Sequence, residues 1–217
     1  MMVQLPPGLK NLLILIALMG MAQLSLPNIG FDVYQFYLYY PDSPHFQPWQ
    51  LITHIFCHGG IGHFLFNAIA LFSFGGIVEY RMGTKRFLTL FFISGLGAAL
   101  LHLGIMGYEI QAAYGTLFPN QASGVDFIPY GPMLGASGAL YGVMTAFAMY
   151  YPNESMIFLF IPYPIKAKYL VPGMIVLDLL FGIGGSGTGI AHFAHVGGAL
   201  TGFIAVWLWR RKGQRWA

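Results

Sequence analysis

Six apolar stretches constrain the fold of this 217-residue chain more than any other feature. A membrane-spanning helix needs about 20 mostly apolar residues. Six segments reach or nearly reach that length: 10–27, 61–80, 87–107, 134–151, 169–184 and 189–209. Only 8% of the residues are charged, against about 25% in soluble domains, and a soluble fold cannot bury so much apolar surface. We therefore expect an all-α membrane protein, a six-helix bundle forming one domain over residues 1–217 and lying in a lipid bilayer.

The basic residues are segregated among the connections between these segments. All ten lie before the first segment, between the second and third, between the fourth and fifth, or after the sixth: Lys10, Arg81, Lys85, Arg86, Lys166, Lys168, Arg210, Arg211, Lys212 and Arg215. Cytoplasmic loops are enriched in Lys and Arg, so the pattern predicts that both termini are cytoplasmic. It also accounts for the net charge of +3, and we expect no nucleic-acid partner.

The predicted outer connections differ in character. Residues 28–58 form a long loop rich in aromatic side chains, which favour the headgroup level, so we expect this loop to lie partly in the membrane. The connection 182–189 is mostly glycine, and we interpret it as a flexible lid. The lone Cys57 is interpreted as a small buried apolar residue.

Two polar residues near the predicted outer ends of spanning segments indicate nucleophilic chemistry. Ser137 lies in Gly135-Ala136-Ser137-Gly138 near the outer end of the fourth segment, and His195 lies near the outer end of the sixth. Each is expected roughly 5–10 Å inside its helix, at a common depth. A serine hydroxyl needs a hydrogen-bonded base, usually a neutral imidazole. The alternative is that these small residues only pack helices together.

A histidine-rich motif at the start of the second segment adds candidate donors. His63 and Asn67 are four residues apart and share one helix face, and such side chains can stabilise an oxyanion. His54, His58 and His63 raise the alternative of a metal site. Their cluster contains neither a carboxylate nor an H-E-x-x-H element, so we predict no metal.

Taken together, these motifs resemble the rhomboid family of intramembrane serine proteases. The resemblance rests on His58-x-x-x-x-His63-x-x-x-Asn67, Gly135-x-Ser137-Gly138 and Ala194-His195-x-x-Gly198-x-x-x-Gly202, in this order, and extends from about Trp49 to the end of the chain. It implies a protease without a cofactor, acting through a Ser137–His195 dyad with no third acidic member. Its substrates would be single-pass or multi-pass membrane proteins. The compact size and the lack of extra domains favour a bacterial plasma membrane as the location, with an organelle membrane as the alternative.

The resemblance also implies roles for further residues. His63 and Asn67 would form the oxyanion hole with the backbone N–H of Ser137, with His58 supporting that side. Tyr141 would pack against the catalytic imidazole. The remaining matched positions would be structural, the last two glycines by bringing the sixth helix against the fourth: Glu79, Arg81, Gly135, Gly138, Gly198 and Gly202.

Two positions depart from the expected pattern. The first loop carries Trp49-Gln50, whereas many family members carry Trp-Arg, which puts the anchoring of that loop in question. Asp178 lies midway along the fifth segment, where a charge is costly, so it is either protonated or paired with a polar group such as His102.

Two other classes of function compete with proteolysis. A non-catalytic rhomboid-like protein would bind membrane helices without cutting them, and such relatives usually lack the serine or the histidine. A small transporter or channel would need polar residues along a continuous path across the membrane. Asp178 is the feature that favours this last class, whereas the other polar residues cluster in the predicted outer half.

Overall fold

Helices dominate the part of the chain that the structure describes. The computed structural model describes residues 4–120, 131–158, 161–184 and 191–211. Its long helices are α1 (Pro7–Ser25), α2 (Ile61–Met82), α3 (Thr84–Tyr114), α4 (Ser137–Tyr150), α5 (Ala167–Ile183) and α6 (His192–Arg211). By length and composition, the described stretches able to cross a membrane are Pro7–Ile29, Ile61–Met82 and Thr84–Tyr114. The mostly helical fold is confirmed, whereas the count of six spans stays a prediction.

Helix α4 is shorter than the segment predicted for it. It begins at Ser137 rather than at 134, because Gly135 has φ +121°, which lies outside the helical region. Its 14 residues reach only about 21 Å, less than the bilayer core, and most of them are buried by neighbouring helices. The expected depth within the helix is therefore wrong for Ser137, which is the first helical residue. His195 lies three residues into α6, about 5 Å along its axis.

Glycines allow α4 and α6 to touch along their backbones. A Cβ on Gly198 would overlap the carbonyl oxygen of Gly138, and a Cβ on Gly202 would lie 2.6 Å from the Cα of Gly142. No larger residue fits at either crossing without separating the helices. Because Ser137 and His195 lie beside these crossings, the contact fixes their relative position.

A short hairpin departs from the all-α expectation. The antiparallel strands β1 (Ser155–Phe158) and β2 (Ile161–Lys166) connect α4 to α5, with Ser155 opposite Lys166 and Met156 opposite Ile165. This sequence contains β-branched and aromatic residues, which favour strands. The segment is too short and too rich in proline for a helix.

A buried carboxylate joins α1, α2 and α3. Glu79 accepts hydrogen bonds from the backbone N–H groups of Gly8 at 2.8 Å and Leu9 at 2.6 Å, and from the hydroxyl of Thr84 at 2.7 Å. The first N–H groups of a helix have no partner within the helix, and a negative charge is favourable there. Glu79 therefore anchors the start of α1 to the α2–α3 connection.

Basic side chains gather at this same end of the bundle. The guanidinium groups of Arg81, at the end of α2, and Arg210, at the end of α6, lie 5.5 Å and 5.8 Å from the ring centre of Tyr150. Arg210 also donates to the carbonyl of Met149 at 3.2 Å. Ser137 starts α4 at the opposite end, so the cationic end and the candidate nucleophile are separated by the length of that helix.

A neutral amide organises the first loop at the position where arginine was expected. Gln50 is fully buried; its Oε1 accepts from the backbone of Tyr39 at 3.3 Å, and its Nε2 donates to the carbonyls of Gln35 at 3.1 Å and His45 at 2.8 Å. The indole of Trp49 also donates to Gln35, at 3.2 Å. The loop is thus held together without a positive charge at this position.

Candidate active site

Ser137 and His195 lie within hydrogen-bonding distance. The Oγ of Ser137 and the Nε2 of His195 are 2.8 Å apart, although the two residues are 58 positions apart in the sequence. A base at this distance can take the hydroxyl proton as the oxygen attacks a carbonyl carbon. The pair therefore has the geometry of a nucleophile and its general base.

A carboxylate lies on the far side of the imidazole, so the expectation of no third acidic member is wrong as a description of the structure. Asp178 Oδ1 is 2.9 Å from the Nδ1 of His195 and 2.6 Å from the Nδ1 of His192, and its Oδ2 accepts from the hydroxyl of Tyr141. His102, the partner suggested from the sequence, is not among these groups. The contact joins α5 to α6, and no spacing in the sequence reveals which helices touch.

Tyr141 fixes the plane of the imidazole. Its ring stacks on that of His195 with the centroids 4.4 Å apart and the planes 8° from parallel, while its hydroxyl is bound to Asp178. Tyr141 follows Ser137 by one helical turn and therefore projects from α4 on the same side. The ring therefore lies against the imidazole, where the family resemblance implied it, and its part in catalysis stays a prediction.

His63 faces Ser137 across Gly135. The point at which a Cβ on residue 135 would lie is 2.8 Å from His63 Nε2 and 3.8 Å from Ser137 Oγ. The backbone N–H of Gly59 donates to His63 Nδ1 at 3.2 Å, so the ring proton of the neutral imidazole is on Nε2. His63 therefore presents an N–H donor towards the nucleophile.

Asn67 lies one turn further along α2. It is fully buried, and its Nδ2 donates to the carbonyl of His63 at 3.0 Å. A side-chain amide has two N–H donors, so one remains after this bond. Asn67 and Ser137 line the same cavity, and Asn67 thus has a donor beside the nucleophile.

His58 packs behind His63, with ring centroids 5.2 Å apart. Gln23 of α1 holds the backbone of His58 at both its N–H, at 2.9 Å, and its carbonyl, at 3.0 Å. The imidazole Nδ1 lies 3.1 Å from the carbonyl of Phe56. His58 is thus tied to its surroundings and buttresses the ring that faces Ser137.

The first loop is hydrogen-bonded to the segment that leads to Ser137. The sequence did not indicate this contact. Leu38 and Met133 exchange two backbone hydrogen bonds of 2.9 Å and 2.8 Å, and the N–H of Gly135 donates to the carbonyl of His54 at 2.9 Å. His54 is itself buried, with Nδ1 2.7 Å from the carbonyl of Gln50. Burial lowers the pKa of His54 to about 4, so this contact contains a neutral imidazole at pH 7.

An apolar cavity of about 390 Å³ opens beside Ser137. Its walls come from α2, α4, α5 and β1, with Ser137 at one end and Met156 near the other; Phe66, Leu170 and Met174 contribute side chains. Phe66 is also exposed on the outer surface of the helices. The cavity is therefore a groove between α2 and α5 that leads to Ser137.

One group of side chains in the described ranges has the composition of a metal site. The ligand atoms of Asp178, His192 and His195 lie within 4.8 Å of one another. The carboxylate lies at hydrogen-bonding distance from each of the two imidazoles. The trio considered from the sequence, His54, His58 and His63, does not form such a group among the described residues. Of the predicted lid 182–189, residues 185–189 lie outside the described residues.

Comparison with known proteins identifies the chain. The family model for the Rhomboid domain matches residues 45–212. The chain belongs to the rhomboid family. With its long apolar helices, this rhomboid is a membrane protein, and the resemblance inferred from the motifs is confirmed.

Named relatives come from bacteria and from an organelle. The rhomboid is 31% identical over 167 residues to Rhomboid protease AarA of Providencia stuartii, covering 72% of this chain and 54% of the relative. It is 32% identical over 157 residues to Rhomboid protease GluP of Bacillus subtilis, covering 72% and 25%. RHOMBOID-like protein 12, mitochondrial, of Arabidopsis thaliana is 32% identical over 164 residues, covering 76% and 47%. The chain thus matches about half or less of these relatives' lengths.

Proposed function

We propose that this rhomboid is an intramembrane serine endopeptidase that cuts membrane-protein substrates near the outer face of the bilayer. The observation that carries the proposal is the 2.8 Å contact between Ser137 Oγ and His195 Nε2. Relatives named rhomboid proteases support it. The long apolar helices support a membrane setting for the reaction.

The proposed reaction is acyl transfer in two halves. His195 Nε2 takes the proton of Ser137 as Oγ bonds to the substrate's carbonyl carbon, and the protonated imidazole then gives this proton to the amine as the C–N bond breaks. In the second half, water loses a proton to Nε2 and attacks the ester carbon. The ester bond breaks, the proton returns to Ser137 Oγ, and a carboxylic acid product leaves.

His63 and Asn67 are proposed to stabilise the tetrahedral oxyanion. The Nε2–H of His63 points towards the space beside Ser137, and Asn67 retains one amide N–H in the same cavity. Donors already in place where negative charge develops lower the barrier, and loss of one costs about 10²–10³-fold in turnover.

The groove between α2 and α5 is proposed to receive the substrate helix from the lipid. Its lining is mainly apolar and runs along α4 from Ser137 towards β1. A peptide bond inside an intact helix is shielded from attack, so the substrate must unwind locally. Glycine and proline lower helix stability by about 1 and 3 kcal/mol relative to alanine, and substrates carrying them near the cut should be preferred.

We also propose that both termini lie in the cytoplasm of a bacterial cell, with six helices crossing the plasma membrane. The gathering of Arg81 and Arg210 at one end of the bundle supports this orientation. The start of α1, held by Glu79, lies at the same end.

Cleavage of paired substrates in liposomes tests the function. One peptide carries Gly-Pro near the outer end of its transmembrane helix, and the other carries leucine at both positions. We expect the purified protein to cut the first peptide faster, and Ser137→Ala to cut neither. Equal rates would refute the requirement for unwinding, and unchanged cleavage by Ser137→Ala would refute the proposed catalysis. Binding without cleavage would instead favour the non-catalytic rhomboid-like class.

A further inference from the structure

We propose that Asp178 is a positioning residue that extends the Ser137–His195 pair to a serine–histidine–aspartate triad. The inference rests on the proposed protease function and assigns a reaction role to a carboxylate that the dyad mechanism leaves unused. Asp178 Oδ1, His195 Nδ1, His195 Nε2 and Ser137 Oγ follow one another through contacts of 2.9 Å and 2.8 Å.

The carboxylate determines which imidazole nitrogen is basic. An ionised carboxylate only accepts hydrogen bonds, so His195 Nδ1 must carry the proton that it donates to Asp178. In a neutral imidazole the other nitrogen, Nε2, then has the free lone pair, and this nitrogen faces Ser137. The opposite tautomer would place an N–H against the serine hydroxyl and could not accept its proton.

The same carboxylate stabilises the charge that forms during the reaction. When His195 takes the serine proton, the ring becomes an imidazolium whose Nδ1–H already points at Asp178. The two groups are shielded from solvent, with the side chains of His195 and Asp178 only 13% and 9% exposed, so their attraction is screened less than on a surface. The serine proton stays on Nε2 and does not pass to the carboxylate.

Three donors from two helices hold Asp178 in this position. Tyr141 of α4 donates to Oδ2, while His192 and His195 of α6 both approach Oδ1. Tyr141 also stacks on the His195 ring. Asp178 therefore holds both His195 and the tyrosine ring that packs against it. A carboxylate with a purely structural role would not need to lie in line with the nucleophile.

Replacement of the carboxylate by its neutral amide tests the role. Asp178→Asn keeps the side-chain shape but removes the charge that selects the tautomer. We expect kcat for the Gly-Pro peptide to fall by about 10²–10⁴-fold, as such a change does in a soluble serine protease. We expect KM to change by less than about twofold, because the groove is untouched.

Another buried carboxylate provides the matched control. Asp42 in the first loop is buried and accepts from the backbone N–H of Asn120 at 2.7 Å, and it does not line the groove beside Ser137. Asp42→Asn should leave kcat within about twofold even if it lowers the melting temperature. A kcat for Asp178→Asn within about threefold of wild type, in folded protein, would overturn the proposal.

Nitrogen NMR of protein that retains Asp178 covers the case in which Asp178→Asn fails to fold. The protein is labelled with ¹⁵N-histidine and carries Ser137→Ala. The His195 signals are assigned as those that disappear in His195→Gln. We expect these signals to show that His195 carries its ring proton on Nδ1. An Nε2–H tautomer would overturn the proposal regardless of any Asp178 variant. Wild-type protein that is itself inactive would contradict the protease function, whereas an active wild type with unaffected Asp178→Asn would contradict only the role of Asp178.

Discussion

A single glycine separates His63 from Ser137. Residue 135 combines φ +121° with a position at which a Cβ would lie 2.7 Å from His63 Cε1. We expect Gly135→Ala to push this imidazole away from the site and to strain the backbone by about 1–3 kcal/mol. Turnover of the Gly-Pro peptide should fall by at least about tenfold through loss of an oxyanion donor.

Gly104→Ala is the matched control for this change. Gly104 lies in α3 with nothing within 4 Å of its Cβ position, so alanine should be tolerated or slightly stabilising. Wild-type turnover in both variants would contradict the assignment of His63 to the site.

Protonation of His54 should weaken the contact between the first loop and the segment that leads to Ser137. Burial lowers its pKa from 6.5 to about 4, so between these pH values the unfolded chain binds the proton before the folded chain does. Above about pH 6.5, His54 therefore does not lower the free energy of unfolding. This free energy falls by about 3 kcal/mol as the pH drops to 4. We expect the melting temperature to decrease across this window, and less steeply in His54→Gln than in the exposed-site control His45→Gln. An identical pH dependence in all three proteins would contradict the assignment.

A candidate site residue could be predicted from the sequence only where it belonged to a recognisable motif. Ser137 and His195 stood out only in combination with the His63 and Asn67 motif, because a lone serine near glycines usually has a packing role. Asp178 was conspicuous as a charge within a spanning segment, yet its partners were not predictable. Its contacts with His192 and His195 depend on how α5 packs against α6. The spacing of residues along the sequence does not indicate which helices pack together.

At the level of elements, the glycine contacts between α4 and α6 determine whether Ser137 meets His195. A Cβ on Gly198 would overlap the Gly138 carbonyl oxygen, so Gly198→Ala should force the helices apart and lengthen the Ser137–His195 contact. We expect loss of turnover together with a lower melting temperature, because close packing cannot be recovered by small shifts. Gly104→Ala again serves as the control, and normal activity in Gly198→Ala would show that this contact does not position the pair.

Element type was more predictable than element ends. Apolar length located all the long helices, but the start of α4 shifted to Ser137 because of the backbone at Gly135. The β1–β2 hairpin was missed because its few residues lie between two long apolar segments. The backbone bonds from Leu38 and His54 were also missed, since main-chain contacts between distant loops leave no pattern in side chains.

On the scale of the whole molecule, the predicted orientation is open to a direct labelling test. Cys57 is buried, and burial raises the pKa of its thiol to about 12, so it should react slowly and can be replaced by alanine. In that background, Asp32→Cys in the exposed part of the first loop should react with a membrane-impermeant maleimide in intact bacteria, whereas Lys85→Cys should react only after lysis. The reverse pattern would place the candidate site on the cytoplasmic side.

The central claim is that His195 activates Ser137, and labelling with a fluorophosphonate tests it most directly. This probe phosphonylates activated serines and requires no knowledge of the natural substrate. Purified, folded wild-type protein should be labelled on Ser137, and labelling should disappear in Ser137→Ala and in His195→Ala. Absence of labelling in the wild type, or equal labelling in either variant, would contradict the account.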